Sequence, residues 1–272
     1  MDLGARSTRE IERQVAAAYS PRPEVLAVVL SGSQVTRVAD AESDLDLYVY
    51  CDTPPAIESR VALAQGRAST YEVDNRFWET GDEWLEAQTG LQVDVTFRTR
   101  AWIEERLASV LERFEPSLGY STSIWHNVLV SEPLYDRSGW FETLQRWARQ
   151  PYPEPLAEAI VRHNYAVLRG ALDAYPRQLG RAATRRDLVS LNHRTTAMLA
   201  SYFDALFALN RMPHPGEKRL LSLAQALPLV PAGMAEHVHA LLHASVIAPH
   251  RVVIEAERLV DGLELLVNSR AR

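Results

Sequence analysis

Six apolar residues in a row, Val25 to Leu30 (VLAVVL), run directly into Ser31-Gly32-Ser33. A short run of that kind, rich in β-branched side chains, reads as a strand covered on both faces, which requires a sheet with other layers packed around it. The Ser-Gly-Ser after it forces the chain to turn, because glycine adopts the dihedrals of a tight reversal without steric penalty. Two further strands are expected at Asp44–Tyr50 (DLDLYVY) and Leu91–Phe97 (LQVDVTF), both alternating cleanly.

Helical signals surround these strands. Ser7-Thr8-Arg9-Glu10 has capping-box spacing, and Ile11, Val15 and Ala18 then recur at helical intervals, so an opening helix to about Tyr19 is expected. A helix near Ala56–Gln65 and an irregular aromatic stretch, STYEVDNRFWETGDEW, would form the crossover between the second and third strands. Thr99 would cap a helix through Phe114. After Gln150 the texture changes: PYPEP reads as a linker, and the rest of the chain has helical period. Leu188, Leu191, Leu199, Phe203, Leu206 and Phe207 mark one long helix begun by Thr184, with further helices from about Glu217, Met234 and His250. The expected class is α+β, with a small mixed-sheet domain over 1–150 and an all-α helical bundle over 151–272.

A chain of 272 residues, 47% of them hydrophobic, can bury a sizeable core. The strand-like run at Val25–Leu30 is too short to span a bilayer and the N-terminus lacks the apolar core of a signal peptide, so a cytoplasmic protein without a membrane partner is expected. One cysteine, Cys51, excludes an internal disulfide and a cysteine-rich zinc site. Residues 1–150 carry 24 acidic and 15 basic side chains, a net of −9, whereas residues 151–272 carry 11 and 14, a net of +3. An acidic N-terminal half repels a polyanion and attracts a cation, which makes nucleic acid an unlikely partner and a cationic small molecule a favoured one.

Strand residues two apart share a face, so Asp44 and Asp46 point one way while Leu45, Leu47 and Val49 point the other. If Val93, Val95 and Phe97 face the core, Asp94 projects from the same side as the aspartate pair; its rivals as a third carboxylate are Asp74 and Glu72. Carboxylates ~4 Å apart repel by about 4 kcal/mol per pair at an effective dielectric near 20, a cost that a divalent cation removes. Hard oxygen donors completed by phosphate suit Mg²⁺, and two ions about 3.5–4 Å apart would serve both the attacking and the departing oxygen. Gly32 lets the backbone approach a phosphate, and Ser33 would open a short helix whose free N–H groups favour an anion.

Gly32-Ser33, ten residues of spacer, Asp44-Leu45-Asp46 and then Asp94 on a later strand together resemble the signature of the polymerase-beta-type nucleotidyltransferases. A short catalytic domain followed by a helical one is similar to the antibiotic nucleotidyltransferases that act on aminoglycosides and lincosamides. The signature covers roughly residues 25–97. The resemblance implies Mg²⁺-dependent transfer of a nucleoside monophosphate, usually AMP from ATP, onto a hydroxyl of a small acceptor, with pyrophosphate released. Asp44 and Asp46 would bind metal, and Asp94 would bind metal or take the acceptor's proton. A protein-adenylylating enzyme of the antitoxin type and a silent nucleotide-binding module are the alternatives.

Weaker signals have plainer explanations. Lys218 is the only lysine among 29 basic residues and is a candidate for the triphosphate, as is Arg37 four residues beyond Ser33; each is equally an ordinary surface cation. Residues 71–86 combine six acids with Tyr71, Phe77, Trp78 and Trp84, a composition suited to a cationic ring-shaped acceptor but also to a solvated face with tryptophans turned inward. His239 and His243, four apart, are expected to be surface residues rather than a metal pair.

Overall fold

The structure is a computed structural model that describes residues 3–32 and 44–270. The chain is α+β and divides into two compact units, Met1–Ala108 with Asn127–Gln150, and Ser109–His126 with Pro151–Arg272. A single cut after Gln150 therefore takes no account of residues 109–126, which leave the first unit before the chain returns to it. Among the described residues no helix is long and apolar enough to cross a membrane.

The first unit is built on a six-stranded mixed sheet, in the order β3-β4-β5-β2-β1-β6. Its strands are β1 (Val25–Leu30), β2 (Leu45–Cys51), β3 (Ala68–Asn75), β4 (Gly81–Glu86), β5 (Gln92–Thr99) and β6 (Glu132–Asp136). β2 and β5 run parallel, and the other neighbours are antiparallel. Every residue of β1 is at most 5% exposed, as a strand covered on both faces must be. On β2, Leu45, Leu47 and Val49 are fully buried while Asp46 and Tyr48 are half-buried, so the alternation of sequence is an alternation of environment.

One face of the sheet carries the core. The opening helix Leu3–Tyr19 lays Ile11, Val15, Ala16 and Tyr19 into it, at spacings that share one helical stripe, and the Tyr19 ring meets Phe97 edge-on at 5.8 Å. The helix Ile57–Gln65 sends Arg60 into the same layer, where its guanidinium lies 4.4 Å from the Phe97 ring centroid. Over the other face, Phe141 of the helix Trp140–Ala148 stacks on Tyr50 at 5.4 Å.

The stretch expected to be an irregular crossover is a β-hairpin, β3 and β4. Its inward side chains on β4 are Asp82, Trp84 and Glu86, two acids in three, which hides the strand from a hydrophobic pattern. Those acids are satisfied by long cations from nearby. Arg60 donates to both Asp82 oxygens at 2.6 and 3.0 Å, and Arg67 to Glu86 at 2.5 Å, with Trp84 Nε1 donating to the same Glu86 at 2.8 Å. β6 is a further strand that the hydrophobic pattern does not announce.

The second unit is helical: Glu154–Tyr165, Tyr175–Arg185, Leu188–Leu209, Leu220–Gln225, Met234–Val246 and Val252–Arg270, with its own apolar core centred on Met198, Tyr202, Leu206, Leu241 and Leu259. Thr184 does not begin the long helix. It belongs to the preceding one, its hydroxyl donating to Gly180 O, and Arg186 at φ 56° breaks the helix before Asp187 caps the next by accepting from Ser190 N at 3.0 Å. An aspartate with an extended backbone captures a free N–H that a threonine inside a turn of helix has no access to.

Candidate active site

Register in the sheet assembles a row of carboxylates. Asp46 on β2 is the Cα partner of Asp94 on parallel β5, Asp94 is the partner of Glu83 on β4, and Glu83 is the partner of Glu72 on β3. Neighbouring strands lie about 4.8 Å apart, and directly opposed side chains have Cβ atoms about 4.5–5.5 Å apart, so four acids cross four adjacent strands on the face opposite the core. Asp44 immediately precedes β2 and is half-buried. Like charges so placed repel, and the carboxyl of Glu83 records it: burial raises its pKa first, then the charges of Asp94 and Glu72, opposed by the amide of Asn75, with Asp44 adding a further upward push. Asn75 Nδ2 donates to Glu83 Oε1 at 2.9 Å, and Gln92 Nε2 donates to Asp94 Oδ1 at 3.2 Å, holding that carboxylate from the same strand face.

The turn expected to hold phosphate lies against the row. Gly32 has φ +69°, and a Cβ added to it would overlap the Asp46 carboxylate, while Ser31 N donates to Asp46 O at 2.9 Å. Glycine is thus required here twice, by dihedral and by space. Ser33 and Arg37 lie outside the described residues.

Beside the turn lies a polar floor in which Arg98 and Ser31 are buried, Tyr48 and Asn127 half-buried and Glu79 exposed. Arg98, on the same face of β5 as Asp94, is forked onto Glu79 at 2.7 and 2.9 Å, and its guanidinium sits 3.8 Å from the Tyr48 ring centroid. It also donates to Asn127 Oδ1 at 3.3 Å, and Asn127 Nδ2 donates to Ser31 Oγ at 2.8 Å and Tyr48 Oη at 3.3 Å.

Of the residues singled out in sequence, Gly32, Asp46 and Asp94 come together, with Asp44 close enough for its charge to act on Glu83. Lys218 is exposed, on a turn of the helical unit. The sequence does not mark Glu83 or the floor residues: with Asp82 and Glu86 inward and Leu85 outward, GDEWLE has no apolar alternation that would place Glu83 on the outer face.

Among the described residues no group of three or more His, Cys, Asp or Glu is arranged to hold a metal ion. A three-carboxylate cage is not what Mg²⁺ requires, since it is bound through one or two carboxylates, substrate phosphates and water. The in-register pair Asp46 and Asp94, all-oxygen and half-buried beside the Gly32 turn, fits that smaller donor set.

No family model and no curated protein matches the chain. Among solved structures, a nucleotidyltransferase-like protein from Exiguobacterium sibiricum aligns over 96% of this chain and 74% of its own at 12% identity and a TM-score of 0.47. The CCA-adding enzyme of Thermotoga maritima, complexed with tRNA, aligns over 99% of this chain and 82% of its own at 12% identity and a TM-score of 0.33. Likenesses this remote assign no residue and no substrate, and the functional reading rests on the carboxylates and the turn.

Proposed function

We propose that the protein transfers a nucleoside monophosphate from a nucleoside triphosphate, ATP in the first instance, to a hydroxyl of a small acceptor. The observation that carries this reading is the register pairing of Asp46 with Asp94 beside a glycine turn with no room for a side chain. Backbone stripped of side chain can approach a phosphate, and paired carboxylates beside it are the donors that a phosphate-bound divalent cation uses. Asp46 and Asp94 are assigned to Mg²⁺, which when bound would neutralise phosphate charge and polarise the reacting oxygens, with Asp44 adding its negative charge beside the pair. Gly32, with Ser33 and Arg37, is assigned to the phosphates.

In the reaction, the acceptor oxygen forms a bond to the α-phosphorus while the bond from that phosphorus to the bridging oxygen of pyrophosphate breaks. The acceptor proton passes to a carboxylate, for which Asp94 is the candidate, held in place by Gln92. The rest of catalysis is positioning and charge neutralisation. For the acceptor, the β3–β4 connection offers Phe77 and Trp78, 80% and 93% exposed, on a hairpin that also carries Glu72 and Glu83. Acid next to aromatic suits a cation with a ring face, of the aminoglycoside or lincosamide type.

The test is a pyrophosphate-release screen of the four nucleoside triphosphates against aminoglycosides, lincosamides and simple polyols, with and without Mg²⁺. Asp46→Asn is expected to lose at least ~100-fold in turnover while remaining folded. Wild-type protein that neither binds a nucleotide in a Mg²⁺-dependent way nor releases pyrophosphate would remove the proposal.

A further inference from the structure

Asn127 and Ser31 are 96 residues apart in sequence, yet the amide of one holds the hydroxyl of the other at the point where β1 becomes the Gly32 turn. Arg98 offers only donors, so the Asn127 oxygen must face it, and this fixes the Asn127 nitrogen toward Ser31 and Tyr48. Arg98 is itself immobilised, 5% exposed, by the Glu79 fork and the Tyr48 ring. Ser31 is fully buried, and its backbone N–H is tied to Asp46 O. The chain of contacts from Glu79 through Arg98 and Asn127 to Ser31 therefore ends one residue before the glycine that abuts the Asp46 carboxylate.

We propose that Asn127, oriented by Arg98, is a positioning residue that fixes the Ser31–Gly32 turn against Asp46 and so sets where bound phosphates meet the carboxylates. Its effect on catalysis rests on the nucleotidyl-transfer reading above; its effect on the turn does not. A polar network of this kind is unnecessary for burying Ser31, which an apolar neighbour and an alanine would accomplish with no orientation to maintain. What the network adds is direction: donors aimed at the Ser31 and Tyr48 oxygens from a nitrogen that cannot be exchanged for its neighbour.

Two substitutions in the full chain separate orientation from packing. Asn127→Leu keeps the branched shape and the number of heavy atoms but removes both donor and acceptor, whereas Asn127→Asp still accepts from Arg98 and accepts from the Ser31 hydroxyl once that rotates to donate. Amide hydrogen exchange of Ser31 reads the turn directly, with Val28 in the middle of β1 as the reference for the strand as a whole. The expected result is Ser31 exchange at least ~10-fold faster in Asn127→Leu, with Val28 unchanged and Asn127→Asp close to wild type. Unchanged Ser31 exchange in Asn127→Leu, equal acceleration at Val28, or identical behaviour of the two variants would each overturn the proposal. Where wild-type protein releases pyrophosphate, Asn127→Leu is further expected to lower kcat by ~10–100-fold with the acceptor KM little changed, since misplacing a reacting centre by an ångström costs on that order. Wild-type protein without turnover would defeat the reading of function and leave the exchange measurement to decide the role of Asn127.

Discussion

The Asp46 carboxylate occupies the space that any side chain at residue 32 would need, and Gly32 holds a φ of +69° beside it. Both facts act against Gly32→Ala. A left-handed backbone costs an alanine about 1–2 kcal/mol, and relieving the overlap requires Asp46 or the turn to move. The variant is expected to lose about 1–3 kcal/mol in urea unfolding, and its Mg²⁺-dependent nucleotide affinity should fall further than that of a variant with the same stability loss elsewhere in the sheet. Isothermal titration of MgATP against both proteins makes the comparison.

Glu83 stands between Asp94 and Glu72 in the carboxylate row. Glu83→Gln keeps an oxygen to accept from Asn75 but removes one charge from the line of four. In metal-free buffer it should raise stability by about 0.5–1 kcal/mol, because directly opposed like charges on neighbouring strands are unfavourable. Adding Mg²⁺ should raise the melting temperature of wild type more than that of the variant, since less repulsion is left for the cation to relieve. Differential scanning fluorimetry with and without EDTA reads both.

Arg60 and Asp82 form an ion pair whose side chains are 1% and 2% exposed. Arg60→Met strands a buried carboxylate and should cost about 3–5 kcal/mol, whereas Arg60→Met with Asp82→Leu removes both charges and should recover most of that loss. A double-mutant cycle in urea, scored at fixed pH, tests it; a double variant no more stable than the single one would refute the account.

The same pair marks the limit of what the sequence discloses. β1, β2 and β5 were legible because their inward positions are apolar: Leu45, Leu47 and Val49, then Val93, Val95 and Phe97, alternate against polar neighbours. The register of Asp46 with Asp94 comes from that alternation together with a parallel crossover. β3 and β4 were not legible, because Asp82 and Glu86 point inward and are made tolerable only by Arg60 and Arg67, which a reader of local periodicity has no means of pairing with them. Glu83 was lost with the strand that carries it. Asn127 and Arg98 were beyond reach for another reason: each is unremarkable in its own segment, and their meaning lies in a contact 29 residues apart that ends on Ser31, another 67 residues before Arg98.

Two buried groups in the helical unit titrate in the same window with opposite effects. Asp204 accepts from Ser121 N at 3.0 Å, Ser121 Oγ at 2.6 Å and Asn164 Nδ2 at 3.0 Å, yet burial outweighs these bonds and pushes its pKa up to about 6. His214 is fully buried, its Nδ1 accepting from Gly216 N, and burial, with the charge of His126 adding to it, pushes its pKa down to about 4. For Asp204 the folded chain binds a proton more tightly than the unfolded one, so its contribution to stability is present at low pH and is lost as pH rises from about 4 to about 6. For His214 the unfolded chain is the tighter binder, so its contribution is present above pH ~6.5 and is lost as pH falls toward about 4. Each shift corresponds to about 3 kcal/mol at most, and in wild type the two slopes largely cancel. Single variants should unmask them. Relative to wild type, Asp204→Asn should gain stability as pH rises from 4 to 6.5, and His214→Phe should lose it, whatever constant offset each substitution brings. Urea unfolding of the three proteins at pH 4, 5, 6 and 7 gives the differences, and parallel curves for wild type and both variants would show that neither group titrates as its burial requires.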